Sequence, residues 1–415
     1  MILRRLASLI ALAMAAVLAT GCAIPSRGPA VPSTYTVRAQ PLGIPNARFY
    51  ADDDPAAMIA EASSALERER ATLRAAGRPT RPMPPAYFLA VSGGSDNGAF
   101  GAGLINGWTT TGTRPSFNIV TGVSTGALIA PLAFLGPDYD ATLRDVYTTI
   151  SPDRIFLRRR LTAALFSDAM ADTGPLAEMI NTVVDQSMLA AIAREYQRGR
   201  LLLIATTDLD AQRPVIWNVG AIAASGHPNA LELFRKILLA SASVPGAFQP
   251  VLLDVEIDGA RFQEMHVDGG AIAQLFLYPA SIDPGLLSAD RQQTAFVIRN
   301  ARLDPEHAEI ERRTITIAGR AISTMLAASG QNDVMRVYFL TKRDGVDYNL
   351  AYIGSDFKVQ RDRLFDRAYM GALFDYGFRQ AVDGRAWHKT PPGVHTTRTR
   401  RQDAADSKAR GDAGP

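Results

Sequence analysis

Short apolar runs alternate along this chain with longer stretches of helical periodicity, and this alternation limits the fold more than any other feature. Strands separated by helices are typical of a mostly parallel central sheet sandwiched by helices. The predicted strands are 87–91, 117–121, 201–206, 295–298 and 334–340. The predicted helices are 98–109, 125–134, 172–184, 231–241, 308–326 and 361–382. The sequence therefore predicts an α/β fold, in which ligands bind beyond the carboxyl ends of the strands.

The segments that flank this core differ from it in composition. Residues 23–45 are rich in proline, residues 54–76 have the pattern of an amphipathic helix, and the last 25 or so residues are polar. Seven basic and three acidic residues give 385–415 a net charge of +4, more than the +3 of the whole chain. A nucleic-acid binder should carry its excess positive charge on the folded part, so no nucleic-acid partner is expected. The predicted organisation is a signal peptide (1–21), a tether (22–50), a helix and linker (51–85), the main domain (86–385) and a disordered basic tail (386–415).

The amino terminus reads as an export signal. Arg4 and Arg5 precede a short apolar run that ends in small residues, and the sequence Leu18–Cys22 resembles the lipobox of bacterial lipoproteins. Acylation of Cys22 would hold the protein on a membrane, and the resemblance points to the periplasmic side of the outer membrane. An ordinary secretory signal or an uncleaved anchor stays open. Because Cys22 is the one cysteine and the chain has five histidines, we expect no metal site and no cofactor.

The first of two glycine-rich turns, Ser92–Gly98, follows a predicted strand and precedes a predicted helix. It lacks the lysine of a phosphate-binding loop and does not fit G-x-G-x-x-G. Glycines at this place let backbone N–H groups turn toward one point at a helix start, where the dipole favours negative charge. An oxyanion hole requires this arrangement, and its candidate donors are Gly93, Gly94 and Ser95.

The second turn, Thr121–Gly126, contains G-x-S-x-G directly after an apolar run. In such a turn the serine lies on a sharp bend from strand to helix, and the flanking Gly122 and Gly126 relieve crowding. Ser124 is therefore the candidate nucleophile. The pattern alone is also compatible with a tight turn that holds an unreactive serine.

Asp268 is the candidate base for this serine, because a serine nucleophile needs one. In the segment Gln263–Gly270 an apparent strand runs into Asp268, which Gly269 and Gly270 follow. An aspartate in this place can act as a base, bind a metal or form a turn, and Asp-Gly is above all a turn signal. The segment by itself leaves these roles open.

In this order, the three segments resemble the motifs of the patatin-like phospholipases, lipid acyl hydrolases with a Ser-Asp dyad. The resemblance covers about 86–340 and assigns 93–98 to the oxyanion loop, Ser124 to the nucleophile and Asp268 to the base. The segments 203–209 and 239–248 resemble the family's central strand and its Ser-x-x-x-Pro turn. The family loop is usually G-G-G-x-R/K-G, so that Ser95 replaces a glycine and Asn97 the basic residue before Gly98.

The resemblance implies a membrane-anchored enzyme whose partners are a phospholipid or related lipid ester and the membrane itself. Ser124 would attack the ester carbonyl while Asp268 accepts its proton, and water would then cleave the acyl-enzyme. The ordinary pKa of aspartate, about 3.9, makes it a weak base at neutral pH, so its position must compensate.

Two other functions stay open. An α/β-hydrolase with a Ser-Asp-His triad would take its histidine after Asp268, from His307, His388 or His395. His266 precedes Asp268 by two positions and would share its strand face as a packing or supporting group. The second alternative is a catalytically silent, lipid-anchored binding protein that has kept the fold.

Two further segments bear on substrate access. Arg158–Arg160 lie among apolar residues, a pattern that suits either a lid touching anionic lipid or an ordinary surface element. Residues after Leu104 and the run Leu275–Leu277 are candidates for the lining of an acyl pocket.

Overall fold

A computed structural model describes residues 27–149, 157–158, 171–287 and 291–394. Cys22, most of the Arg158–Arg160 cluster and residues 395–415 lie outside this range. The strands are β1 (Arg48–Tyr50), β2 (Ala86–Val91), β3 (Ile119–Val123), β4 (Leu157–Arg158), β5 (Ala171–Asp172), β6 (Leu201–Asp208), β7 (Arg213–Asn218), β8 (Val251–Ile257), β9 (Ala260–Asp268), β10 (Gln293–Arg299) and β11 (Asp347–Tyr352). The helices are α1 (Ala56–Ala75), α2 (Gly98–Thr110), α3 (Thr125–Leu135), α4 (Asp140–Thr148), α5 (Gly174–Val183), α6 (Gln186–Gln197), α7 (Val219–Ala224), α8 (Ala230–Ser241), α9 (Pro284–Leu287), α10 (Thr314–Arg343) and α11 (Arg367–Val382).

A nine-stranded sheet forms the centre of the described chain, in the order β1-β7-β6-β3-β2-β10-β11, with the β8–β9 hairpin joined to β6 through β9. The five strands β6, β3, β2, β10 and β11 run parallel, whereas β1, β7 and β9 are antiparallel to their neighbours. The predicted α/β class with a mostly parallel sheet is confirmed. We call the side on which β2, β3 and β10 end the carboxyl edge of the sheet.

Helices cover both faces of this sheet. On one face α2, α3 and α8 bury Phe100, Phe134 and Phe234 in the largest hydrophobic cluster. On the other face the second half of α10 buries Val334 and Val337 against β2, β10 and β11. A parallel sheet that is buried in this way explains why its strands read as continuous apolar runs.

The strand predicted at 334–340 is wrong, because this run belongs to the helix α10. Val334, Val337 and Tyr338 are buried, while Phe339 beside them is 58% exposed. This is the i, i+3, i+4 spacing of a helix, which a short apolar run does not distinguish from a strand. The strand that completes the sheet is β11, a few residues further on.

Residues 27–50 form a packed arm and not the free tether that their prolines suggested. Val31 and Ala39 are buried against β8, the carbonyl of Pro29 accepts a hydrogen bond from Gln263 N–H at 2.9 Å, and β1 pairs with β7. The arm contains two short 3₁₀ helices, Ser33–Tyr35 and Pro41–Gly43, and its backbone and apolar side chains pack against the domain.

The domain also extends past the predicted start of the tail at 386. Trp387 packs against Trp108 with ring centroids 4.8 Å apart, and His388 exchanges two backbone hydrogen bonds of 2.8 Å with Leu350. These contacts make Trp387 and His388 part of the folded domain. In the part of the chain that the structure describes, no helix combines the length and the apolarity needed to cross a bilayer.

Candidate active site

Ser124 lies on a sharp bend between β3 and α3, at the carboxyl edge of the sheet. Its φ is +57°, in the left-handed region that a residue with a side chain rarely adopts. A Cβ on Gly122 would come within 2.5 Å of the Gly126 carbonyl oxygen, and one on Gly126 within 2.2 Å of the Val91 oxygen. Only glycine fits at either position, so both glycines of the pattern are required by the close approach of strand and helix.

The end of α8 holds the bend and the strand β9 together. The N–H of Ser124 donates to Ser241 Oγ at 3.0 Å, and this hydroxyl donates to the Ala205 carbonyl at 2.7 Å. Two residues later, the Ser243 carbonyl accepts from the Asp268 N–H at 2.9 Å. The Ser-x-x-x-Pro segment thus positions the backbones of both Ser124 and Asp268, a role that its residue types alone do not reveal.

Asp268 is the last residue of β9 and is 4% exposed. Its Oδ1 accepts from the Gly270 N–H at 2.7 Å, whereas Oδ2 is buried with no hydrogen-bond partner. Burial raises the pKa of this carboxyl from 3.8 to about 7, although the nearby Ser124 hydroxyl and the Gly270 N–H act in the opposite direction. No hydrogen bond with regular distance and angle joins Ser124 to Oδ2. Ser124 therefore lowers the pKa of the Asp268 carboxyl through its proximity more than through a formed bond. The result is a buried carboxyl beside the serine with one oxygen free to take a proton.

The turn after Asp268 is as tightly packed as the serine bend. A Cβ on Gly269 would come within 2.7 Å of the Ala205 carbonyl oxygen, and one on Gly270 within 2.4 Å of Gln274 Nε2. The two glycines therefore allow the turn to approach β6 and the Gln274 side chain.

The loop Ser92–Gly98 passes close to this turn. Ser95 has a φ of +56°, so the residue at this position needs the left-handed conformation that glycine adopts most easily. The Gly93 N–H donates to the Gln274 carbonyl at 3.0 Å. This contact amends the prediction for the oxyanion hole, because the N–H of Gly93 is occupied and the remaining candidate donors are Gly94 and Ser95.

A buried arginine lies behind the loop and was missed by the sequence analysis. Arg299 Nη1 donates to the Gly93 carbonyl at 3.2 Å, and the neighbouring Asn300 N–H donates to Ser92 Oγ at 2.9 Å. Burial lowers the pKa of Arg299 to about 10, which leaves the side chain charged at neutral pH. Asn97, which stands where the resemblance expects a basic residue, accepts a hydrogen bond from the Tyr369 hydroxyl at 2.7 Å. The positive charge near the loop is thus supplied from β10, behind the backbone.

An apolar cavity of about 50 Å³ opens beside Ser124. Its lining includes Leu128, Tyr147, Met179 and Phe248, on or beside the helices α3, α4, α5 and α8. The expectation that Leu275–Leu277 line an acyl pocket is not met, because Leu275 and Leu277 are buried in the core on the other face of the sheet. The cavity was not visible in the sequence, because its lining comes from elements far apart in the chain.

The model of one protein family, the patatin-like phospholipases, matches residues 89–280. This range contains the Ser92–Gly98 loop, the Ser124 bend and Asp268. Residues 89–280 are therefore similar to a patatin-like phospholipase domain. This similarity indicates a lipid acyl hydrolase.

Two solved structures share a distant likeness with the chain. VipD from Legionella pneumophila is 12% identical, with a TM-score of 0.36, over 72% of this chain and 67% of that one. The type III effector protein ExoU is 14% identical, with a TM-score of 0.30, over 80% of this chain and 62% of that one. No curated protein sequence matches the chain. The similarity to the family therefore rests on residues 89–280.

The described histidines lie outside the lining of the cavity at Ser124. His307 is exposed in the segment before α10, His388 pairs with β11 at the edge of the sheet, and His266 is buried against Thr206 and Glu264. His395 lies outside the described residues. This placement supports a dyad over a triad.

Three described residues, Asp208, Glu264 and His266, come close enough together to bind a metal ion. Their polar atoms are already engaged, however. Arg48 donates to both oxygens of Glu264, with Nη2 and Oε1 2.8 Å apart, and His266 Nδ1 lies 3.0 Å from Thr206 Oγ1. A cation at this place would have to displace a buried guanidinium, so the cluster reads as a structural network.

Proposed function

We propose that this chain is a membrane-anchored serine acyl hydrolase that cleaves ester bonds of phospholipids or related lipids through Ser124 and Asp268. The observation that carries the proposal is the buried carboxyl of Asp268, whose Oδ2 has no partner and which lies beside a serine held in a strained bend. Strain and an unsatisfied buried oxygen both cost stability, and they are typical of sites where function requires them.

The proposed reaction has two steps. Ser124 Oγ attacks the ester carbonyl carbon while Asp268 Oδ2 takes the hydroxyl proton, and the proton then passes to the departing alcohol as the C–O bond breaks. A water molecule next attacks the acyl carbon while Asp268 accepts its proton, and this proton returns to Ser124 Oγ as the bond between Oγ and the acyl carbon breaks and the fatty acid leaves. In both steps the N–H groups of Gly94 and Ser95 face the negative oxygen of the tetrahedral intermediate.

The raised pKa of Asp268 suits this role. At its ordinary pKa an aspartate is a weak base, but burial raises the value to about 7 and makes the carboxylate a stronger proton acceptor. Since the base must be unprotonated, activity should rise as the pH rises through about 7.

The apolar cavity supports a lipid substrate. The cavity is lined mainly by aliphatic and aromatic side chains, which suit an acyl chain and offer few hydrogen-bond partners to a polar acyl group. Leu128, Val146 and Met179 line both this cavity and a second apolar hollow between α3 and α5. An acyl chain bound to Ser124 would therefore extend along α3.

The membrane anchor belongs to the same proposal. Acylation of Cys22 would attach the chain to the bacterial cell envelope, on the periplasmic side of the outer membrane. Mass spectrometry of the protein purified from membranes tests this, because acylation adds the mass of the lipid to a peptide that begins at Cys22. A peptide that continues through Ala19 to an unmodified Cys22 would contradict it.

The decisive experiment measures release of free fatty acid from mixed phospholipid vesicles by the full-length protein. We expect Ser124→Ala to lower the rate by about 10⁶-fold, the scale on which a serine nucleophile acts, and Asp268→Ala to abolish most of it. The matched controls are Ser225→Ala, a serine outside the site, and the five His→Ala variants, all of which should keep activity.

Three outcomes would contradict the proposal. Loss of activity in His307→Ala, His388→Ala or His395→Ala would favour the triad. Full activity in Asp268→Ala would remove the dyad. A wild type that releases no fatty acid and does not react with a serine-directed probe would favour the silent binding protein.

A further inference from the structure

The first half of α10 projects from the domain. None of the described side chains of residues 314–329 is buried, and Ile317, Ile322 and Met325 are 52%, 51% and 69% exposed. The second half of the same helix lies on the sheet and is part of the core. These sixteen residues of helix, about 24 Å long, thus lie on the surface with none of their described side chains in the core.

The polarity of this projecting half is inverted. A surface helix normally turns its apolar side to the protein and its charged side to water. Here Thr316 and Arg320 are partly buried, with Arg320 bonded to the Glu306 carbonyl, while Ile317, Ile322 and Met325 face solvent. A group of apolar side chains exposed to solvent in this way marks an interaction site.

The projecting half lies on the side of the active site. Gly330, which follows it, packs on the guanidinium of Arg299, to which a Cβ would come within 2.2 Å. Arg299 ends β10 and contacts the loop beside Ser124. Residues 314–329 therefore lie beyond the carboxyl edge of the sheet.

Two other features lie beyond the same edge. The segment after β11 exposes Val359 and Leu364, at 46% and 44%, and its Phe365 lines the cavity at Ser124. At the amino terminus, Arg27 pairs at 2.7 Å with Asp210, two residues past the end of β6. Four residues lie between Cys22 and Arg27, so a lipid on Cys22 would be attached within about 18 Å of this point.

We propose that residues 314–329 of α10 enter the surface of the lipid bilayer and that the carboxyl edge of the sheet faces this bilayer. The proposal rests on the lipid substrate of the proposed function. The position of Arg27, the exposed apolar side chains and the cavity at Ser124 all favour a lipid surface over a protein partner, since the proposed substrate and the proposed anchor are both lipids.

Apolar insertion drives this docking, and charge contributes little. Residues 301–330 and 356–367 together carry eight basic and seven acidic side chains. Binding should therefore depend only weakly on anionic lipid and on salt. A lid formed by Arg158–Arg160 would instead bind anionic vesicles preferentially and lose affinity with salt.

The first test uses the full chain with two substitutions. Cys22→Ser removes the one cysteine, so that the label attaches only where a cysteine is introduced, and Ser124→Ala prevents hydrolysis of the vesicle lipids. An environment-sensitive fluorophore is attached to Met325→Cys and, as matched control, to Phe339→Cys, which is 58% exposed near the other end of α10. With phosphatidylcholine vesicles, the label at 325 should shift to the blue and the label at 339 should not. The proposal would be overturned if the label at 325 stayed in water or if both labels shifted equally. It would also be overturned if the emission at 325 shifted with protein concentration in the absence of vesicles, because this would show self-association.

The second test separates docking from chemistry. Replacing Ile317, Ile322 and Met325 together by Gln should lower hydrolysis of vesicles by at least about tenfold and leave hydrolysis of a soluble short-chain ester unchanged. Phe339→Gln should change neither rate. Equal losses on both substrates would overturn docking by α10. If the wild type cleaves neither substrate, the proposed function fails, while the fluorescence experiment still decides whether α10 enters the bilayer.

Discussion

One face of β9 holds two carboxyl groups in opposite conditions, Glu264 in the middle of the strand and Asp268 at its end. Glu264 is paired with the buried Arg48, and its pKa is lowered to about 2, because the hydrogen bonds and charge of Arg48 and His266 outweigh the effect of burial. Asp268, four residues on, has no cation beside it, and burial raises its pKa to about 7. The same strand thus holds one carboxylate fixed in its charged form and another that can exchange a proton near neutral pH.

The contrast separates a carboxylate that supports the structure, Glu264, from one that is placed to react, Asp268. Arg48, Glu264 and His266 join the amino-terminal arm to the β8–β9 hairpin through bonds that leave little capacity for a further ligand. At Asp268 one oxygen lacks a partner, and the nearest hydroxyl belongs to a serine with strained backbone. Buried carboxyls whose environments move their pKa values apart commonly divide into supporting and reacting groups.

The largest effect that tests this contrast is on activity. Asp268→Asn keeps the shape of the side chain and removes the base, so the rate of ester hydrolysis should fall by about 10²- to 10⁴-fold while the chain stays folded. Glu264→Gln, the matched change on the same strand, should leave the rate of the folded enzyme within about threefold. Steady-state kinetics beside circular dichroism measures both, and similar losses in the two variants would break the comparison.

The next effect is on stability. Arg48→Met leaves the Glu264 carboxylate buried without its main partner, which should lower the free energy of unfolding by about 3–5 kcal/mol. Urea unfolding measures this loss, and the double variant Arg48→Met/Glu264→Leu should recover much of it because no buried charge remains unpaired. A single variant as stable as the wild type would show that Glu264 does not depend on Arg48.

The smallest effect is on the pH dependence of stability. The pKa of Asp268 in the folded state lies above its ordinary value, so the folded state binds a proton more tightly than the unfolded state. The contribution of Asp268 to the free energy of unfolding therefore falls as the pH rises from about 3.8 to about 7. The effect of Glu264 on stability is opposite. Its stabilising contribution is present above pH 4.5 and is lost as the pH falls toward about 2. Thermal unfolding of wild type and Asp268→Asn between pH 4 and 8 should show the Asn variant gaining relative stability as the pH rises. Parallel curves would contradict the raised pKa.

Local patterns predicted much of the fold and of the reacting centre. The strands β2, β3 and β6 and the helices α2, α3 and α8 lie close to their predicted places, since continuous apolar runs and turn glycines depend on neighbouring residues. The prediction failed at 334–340, where a helix that is buried on one side has a short apolar run like that of a strand. It also failed for the arm 27–50, because its sequence shows extension but not the hairpin that it covers.

By itself the sequence determined the two residues proposed to react, Ser124 and Asp268, because glycines that relieve local crowding must stand next to them in the chain. Only the tertiary structure decided what surrounds them. The unpartnered oxygen of Asp268, the cation of Arg299 behind the loop, the occupied N–H of Gly93 and the exposed apolar face of α10 each depend on elements far apart in sequence. Burial and charge act through space, and one sequence shows chain neighbours but not which distant segments come together.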